Sequence, residues 1–132
     1  MIGWPEGVLN ILLALGLSAV IGYEREVRGK VAGLRTHCLI GVGAATFTIA
    51  SIYGFGVDDM ARVAAGVVAG VGFIGAGVIF RGEGKGVSGL TTAASIWITA
   101  AIGLMAATGL ALVAVVVAVI TLVILELPKI QD

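Results

Sequence analysis

Charge is what this chain has least of. Asp, Glu, Lys and Arg make up 12% of its residues, against about 25% in a soluble domain, too little to cover a globule in water. The single cysteine, Cys38, excludes an internal disulfide, and with one histidine and no CxxC pair the chain has no zinc or redox cluster. Aromatic residues are only 6%, so the apolar mass is aliphatic and small. The eight basic residues balance eight acidic ones and sit in short clusters between apolar runs, which leaves no electrostatic footprint for duplex nucleic acid. No Lys or Arg precedes the first apolar run. The basic start of a secretory signal is therefore missing, and that run reads as a retained helix.

What is abundant is aliphatic and small: 59% of the residues are hydrophobic and 21 of 132 are glycine, the mixture with which membrane helices pack closely. The expected solvent is the lipid bilayer. Apolar runs fall at about 6–23, 37–54, 62–80, 91–108 and 109–126, each close to the roughly 17–20 residues that cross a bilayer core. The spacing predicts an all-α integral membrane protein, a single domain over 1–132 made of a five-transmembrane-helix bundle, with no soluble C-terminal domain. Pro5 and Pro128 lie outside the runs, where proline can open or stop a helix without kinking it. The last two runs joined as one helix would reach about 54 Å, more than any bilayer core, so a tight hairpin near Gly109 is expected. Seven basic side chains fall in one set of alternate connecting segments and only Arg62 in the other, which predicts an N-out, C-in orientation.

Shifting the chain by 56 positions lays 22–47 over 78–103, matching Arg25 with Arg81, Val31 with Val87, Gly33 and Leu34 with Gly89 and Leu90, and Thr36 with Thr92. Helices one and two would then recur as three and four, a parallel repeat about an axis along the membrane normal, plus a fifth helix. Chance identity in Gly- and Ala-rich membrane sequence is the competing reading.

The segment GVVAGVGFIGAGVIF contains G-x-G-x-x-G at Gly70, Gly72 and Gly75. A dinucleotide fingerprint needs a strand before it and an acidic residue about 20 positions later, and this one lies inside an apolar run with no such acid. Gly84 and Lys85 lead into Gly86 instead of Ser or Thr, so no P-loop is present either. On a helical projection Gly66, Gly70 and Gly77 share a strip with Phe73, and Ala65, Ala69, Gly72 and Ala76 flank it. Val63, Val67, Val71, Ile74 and Val78 fall on another face. The expectation is a central helix whose small side, including Gly66, Ala69, Gly70 and Ala76, packs on other helices while its valine side faces lipid.

The segment EREVRGKVAGLRT reads as a charged loop, either an orientation signal with weak surface ion pairs or a site for an anion or partner protein, with Arg35 at the membrane edge beside Thr36. Thr91 and Thr92 are candidates to cap the fourth helix. Thr92, Ser95 and Thr99 recur at helical spacing, a hydroxyl face that could line a small polar cavity or hydrogen-bond across helices. Asp58 and Asp59 could offer oxygens to Mg²⁺, although adjacent loop acids are more often simply solvated. His37 stands alone near the membrane edge and reads as interfacial. No nucleophile, base and oxyanion group assemble. The chain is therefore expected to be no enzyme and to carry no cofactor or metal centre.

The stretches GYERE, AGLRTHCLIGVGA, RVAAGVVAGVGFIGAGVIF and SGLTTAASIWITAAIG, in this order and spacing, resemble the MgtC/SapB family of bacterial inner-membrane proteins over about 20–108. The resemblance implies a multi-pass protein of the bacterial plasma membrane, linked to growth in low Mg²⁺, to virulence in pathogens, and to inhibition of the F-type ATP synthase and hence ATP and phosphate homeostasis. The positions that match the family's recurrent ones are Glu24, Arg25, Gly33, Leu34, Arg35, Thr36, Arg62, Gly72, Phe73, Gly75, Gly77, Gly89, Leu90, Thr92, Ala93 and Trp97. Many members add a soluble domain after the fifth helix. Two functions compete: a membrane regulator that forms a homodimer and meets other proteins through its glycine face and basic loops, and a small dimeric Mg²⁺ or anion transporter or channel with Arg35 and Arg62 at its mouths. A plain membrane anchor is the weaker third.

Overall fold

The computed structural model describes residues 3–80 and 87–129. Arg81 and Lys85, and with them part of the proposed repeat, lie outside the described residues. Among the described residues five α-helices follow one another: α1 (Trp4–Val27), α2 (Leu34–Ala50), α3 (Met60–Phe80), α4 (Leu90–Ala107) and α5 (Ala111–Leu125). A π-helical turn, Ser51–Phe55, prolongs α2, and a 3₁₀ turn, Val57–Asp59, leads into α3. The fold is all-helical over the described residues. Four helices are long and apolar enough to cross a membrane, and α5, at 15 residues, is a shorter apolar helix, about 22 Å long.

The helix ends follow local chemistry. Pro5 occupies the first turn of α1, and the Glu6 carboxylate accepts the Gly3 N–H at 2.6 Å. The segment expected as a charged loop is partly helical: α1 runs on through Glu24, Arg25 and Glu26 to Val27, and α2 already starts at Leu34. Glu and Arg are good helix formers, Arg28 pairs with Glu24 one turn back, and no breaker intervenes before Gly29, whose φ of 69° ends the helix. Glu26 then reaches forward and accepts the Leu34 N–H at 3.0 Å. This places a carboxylate on the positive end of α2, which has no cap of its own. The α4–α5 hairpin turns at Gly109, φ 85°, with the Leu110 N–H bonded to Met105 O at 3.0 Å. The expected break is there, and α5 begins at Ala111.

The central helix is α4. More than half (56%) of its apolar span is buried, against 11% of α3's, which corrects the expectation that the glycine-rich third helix is central. Ala14, Ile21, Ala45, Ile102, Ala106 and Ala114 make a core of alanines and isoleucines among α1, α2, α4 and α5. The helices approach through other glycines. A Cβ on Gly22 would lie 2.9 Å from both Leu34 Cα and His37 Cβ. One on Gly41 would strike the Ser18 side chain, and one on Gly103 would strike the Gly41 carbonyl oxygen.

Helix α3 is turned the other way from the expectation. Val67, Val71 and Val78 pack toward Ile40, Ala44, Ile96 and Ala100. At Gly66, Gly70, Gly72 and Gly77 an added Cβ would meet nothing within 4 Å, and Ala69 and Phe73 are exposed. Ala76 is half-buried, and among the motif glycines of α3 only Gly75 is buried, against Ala93. The reason is complementarity: α2 and α4 already present alanines here, so the bulk that fills the interface comes from the valines of α3. Gly66 and Gly70 border an apolar cleft between α2 and α3 of about 570 Å³, walled by Leu39, Phe47 and Ile74.

Candidate functional site: a buried polar cluster and its basic cleft

The polar groups converge where the end of α1 and the first turns of α2 and α4 meet. Arg25 is 3% exposed, a costly place for a charge unless it is paired and hydrogen-bonded. Its Nη1 lies 3.3 Å from Glu24 Oε1, and its Nη2 donates to Thr92 Oγ1 at 3.3 Å. Its Nε has no partner. Glu24 Oε2 makes no hydrogen bond but stands 3.5 Å from Arg28 Nε.

His37 is fully buried, which corrects its reading as an interfacial residue. The Gly33 carbonyl lies 2.9 Å from Nδ1 and Ser95 Oγ lies 3.0 Å from Nε2. Since a carbonyl only accepts, Nδ1 carries the proton in that bond. Ser95 Oγ also donates to Thr92 O at 2.7 Å. With Nδ1 protonated, Nε2 of the neutral imidazole is an acceptor, so the single Ser95 hydroxyl proton is shared between the Thr92 carbonyl and Nε2. Thr99 Oγ1 donates back to Ser95 O at 2.7 Å. The cluster ties α1 to α4 through Arg25 and α2 to α4 through His37.

The other sequence candidates are dispersed around this cluster. Gly33 and Gly89 sit at the N-caps of α2 and α4 and have no side chain to cap with; at α2 Glu26 accepts the Leu34 N–H instead. Gly89, at φ 87°, lies against the Val78 carbonyl. Leu34 joins through its N–H to Glu26. Thr36 is half-buried, while Arg35, Leu90, Trp97 and, on α3, Arg62, Gly72, Phe73 and Gly77 are exposed. The basic residue in the cluster is thus Arg25, with Arg35 left outside. Among the described residues no group of three or more His, Cys, Asp or Glu could hold a metal ion.

Beside the cluster opens a polar cleft of about 610 Å³, lined by Glu24, Arg25, Arg28, Lys30, Thr91 and residues 124–129. Arg28 Nη2 bridges it to Glu126 at the end of α5. A smaller, apolar cleft of about 300 Å³ lies between α4 and α5 and shares Thr91, Ile124 and Leu125 with the polar one.

Comparison with known proteins agrees with this multi-pass architecture. The MgtC family model matches residues 11–131. YhiD of Escherichia coli strain K12, whose name describes it as a candidate magnesium transporter, is 48% identical over 129 residues, covering 92% of this chain and 60% of YhiD. Protein MgtC of Brucella abortus strain 2308 is 50% identical over 94 residues, 71% of this chain and 39% of that protein. Protein MgtC of Salmonella typhimurium strain 14028s is 48% identical over 102 residues, 77% and 43% respectively. The chain thus spans between 39% and 60% of the length of these relatives. No solved structure matches it. From a family model covering nearly all of the five helices, and relatives identical at about half of the aligned positions, the chain belongs to the MgtC family.

Proposed function

We propose that this chain is a regulator in the bacterial plasma membrane, oriented N-out and C-in, that serves adaptation to low Mg²⁺ by contacting other membrane proteins. The F-type ATP synthase is the first candidate partner, and ATP and phosphate homeostasis the process tuned; in a pathogen the same activity would support virulence. The observation that supports this reading is that four side chains of the buried polar cluster bond within the protein. Arg25, His37, Thr92 and Ser95 bond among the helices, and the helix crossings at Gly22, Gly41 and Gly103 are too close for a side chain. Such an interior supports a role played at the surface. The glycine side of α3, open at Gly66, Gly70, Gly72 and Gly77, is where another helix backbone could approach closely, in a homodimer or a heterologous complex.

The test is co-reconstitution of the purified chain with an F-type ATP synthase in liposomes. ATP-driven proton pumping should fall saturably as the chain is added, and Gly70→Leu on the open face should relieve the effect. Pumping that does not respond to the chain would refute the proposal. A second reading, a small dimeric Mg²⁺ or anion transporter, is favoured by the name of YhiD and by the hydroxyl row of Thr92, Ser95 and Thr99 on α4. Saturable flux through the chain alone would select it.

A further inference from the structure

The polar cleft and the α4–α5 groove are two halves of one amphipathic depression. The polar half carries four basic side chains, Arg25, Arg28, Lys30 and Lys129, against two carboxylates, Glu24 and Glu126. It lies where α1 and α5 end, the level at which a bilayer changes from hydrocarbon to headgroups. The apolar half runs down between α4 and α5 along Trp97, Val117, Ile120 and Ile124, and the two share Thr91, Ile124 and Leu125. A soluble anion would use only the first half. A ligand with a negative head and a hydrocarbon tail would use both.

A second observation points the same way. Arg25 lines the polar half, is 97% buried by its 3% exposure, and keeps an Nε with no hydrogen-bond partner. A buried guanidinium normally satisfies its whole donor fork, so Arg25, which lines the cleft, keeps donor capacity for an acceptor bound there. Helix α5 is also only 15 residues long. It ends before a full bilayer core is crossed, and so brings Glu126 and Lys129 down to the level of a phosphate.

We propose that this depression binds one anionic phospholipid, with the headgroup phosphate among Arg25, Arg28 and Lys30 and an acyl chain in the groove between α4 and α5. The phosphate shares Arg28 with Glu24 and Glu126, and the acyl chain covers the exposed apolar flank of α5. The bound lipid ties α5 to α1 at the end where, among the described residues, Arg28–Glu126 is the ion pair that joins them. This inference rests on the membrane location of the chain and is independent of the regulator proposal.

The experiment is native mass spectrometry of the full chain in detergent, titrated with phosphatidylglycerol and, separately, with phosphatidylcholine of the same acyl length. Phosphatidylglycerol should bind about tenfold more tightly, and 10 mM inorganic phosphate should leave it bound. The double variant Arg28→Gln, Lys30→Gln changes two exposed side chains, and should abolish that preference while the thermal melt without lipid shows the chain still folded. Ala94→Trp, which fills the apolar groove, should weaken both lipids alike. Equal affinity for the two lipids, a preference that survives the double variant, or displacement by inorganic phosphate would each overturn the proposal, the last by assigning the site to a free anion.

Discussion

Replacing Gly103 by alanine tests which glycines hold the bundle together. The added Cβ would land on the Gly41 carbonyl oxygen, with the Gly41 carbon 3.1 Å away and Ala44 Cβ 3.2 Å away. Two of these three atoms are backbone, so no side-chain rotation relieves the clash. The α2–α4 crossing must open by roughly an ångström, at the cost of about 1–3 kcal/mol typical of overpacking. Because His37 and Ser95 bridge the same two helices at 3.0 Å, that hydrogen bond should lengthen as well. Gly66→Ala is the control: its Cβ meets nothing within 4 Å, so the change should be neutral, or stabilising by up to about 1 kcal/mol through helix propensity. Urea or heat unfolding of the monomer in dilute detergent, followed by circular dichroism, measures both. Gly66→Ala destabilising as much as Gly103→Ala would refute the orientation of α3 and the identity of the close crossing.

Ser95→Ala should cost about 1–3 kcal/mol, because it strands a fully buried imidazole nitrogen; a double-mutant cycle with His37→Phe in the same unfolding assay should show that the two changes are not additive. Thr92→Val should cost a similar amount in the same unfolding assay by removing the acceptor of Arg25 Nη2. Glu26→Ala should cost about 0.5–2 kcal/mol, the value of a helix cap, by freeing the Leu34 N–H, while Glu26→Gln, which keeps an acceptor oxygen, should cost less. In a Cys38→Ser background, Lys30→Cys should react with an impermeant maleimide from the cytoplasmic side and Asp58→Cys from the opposite side; the reverse pattern would contradict the orientation drawn from the basic residues.

The helices were legible because a membrane span leaves a long and simple signal. Each apolar run became a helix, and Gly109 and Pro5 sit where turn chemistry put them. The ends were less legible. Good helix formers such as Glu24 and Arg25 look like loop residues when charge is the only criterion, and they extend α1 into the site. The glycines of α3 misled for a different reason: small-residue spacing announces that a backbone can be approached, but not by what. Within the chain, the close approaches fell to Gly22, Gly41 and Gly103, single glycines in runs whose spacing says little, because what fixes them is the partner helix.

The polar cluster was half visible. Thr92, Ser95 and Thr99 show their common face by periodicity alone, and all three are buried on α4. Their partners do not. Nothing in the spacing of His37, 58 residues from Ser95, or of Arg25, 67 residues from Thr92, announces a contact. One signal was available for His37. A lone histidine one turn past the Gly33 that starts α2 can reach that residue's carbonyl with one nitrogen, which leaves the other to be satisfied by a hydroxyl elsewhere. Arg35 drew attention because it stands at the membrane edge, yet it faces outward while Arg25, ten positions earlier, is enclosed.

On the proposed reading the bonds among Arg25, His37, Thr92 and Ser95 serve the packing of α1, α2 and α4, and the chain acts at its surface rather than by passing an ion. Flux through the purified chain in proteoliposomes tests it most directly, with ²⁸Mg²⁺ and ³²P-phosphate as tracers and protein-free liposomes as the background. Uptake of both ions should be indistinguishable from that background. Saturable uptake of either one that disappears in Thr92→Val or Ser95→Ala protein still folded by its melting curve would contradict it.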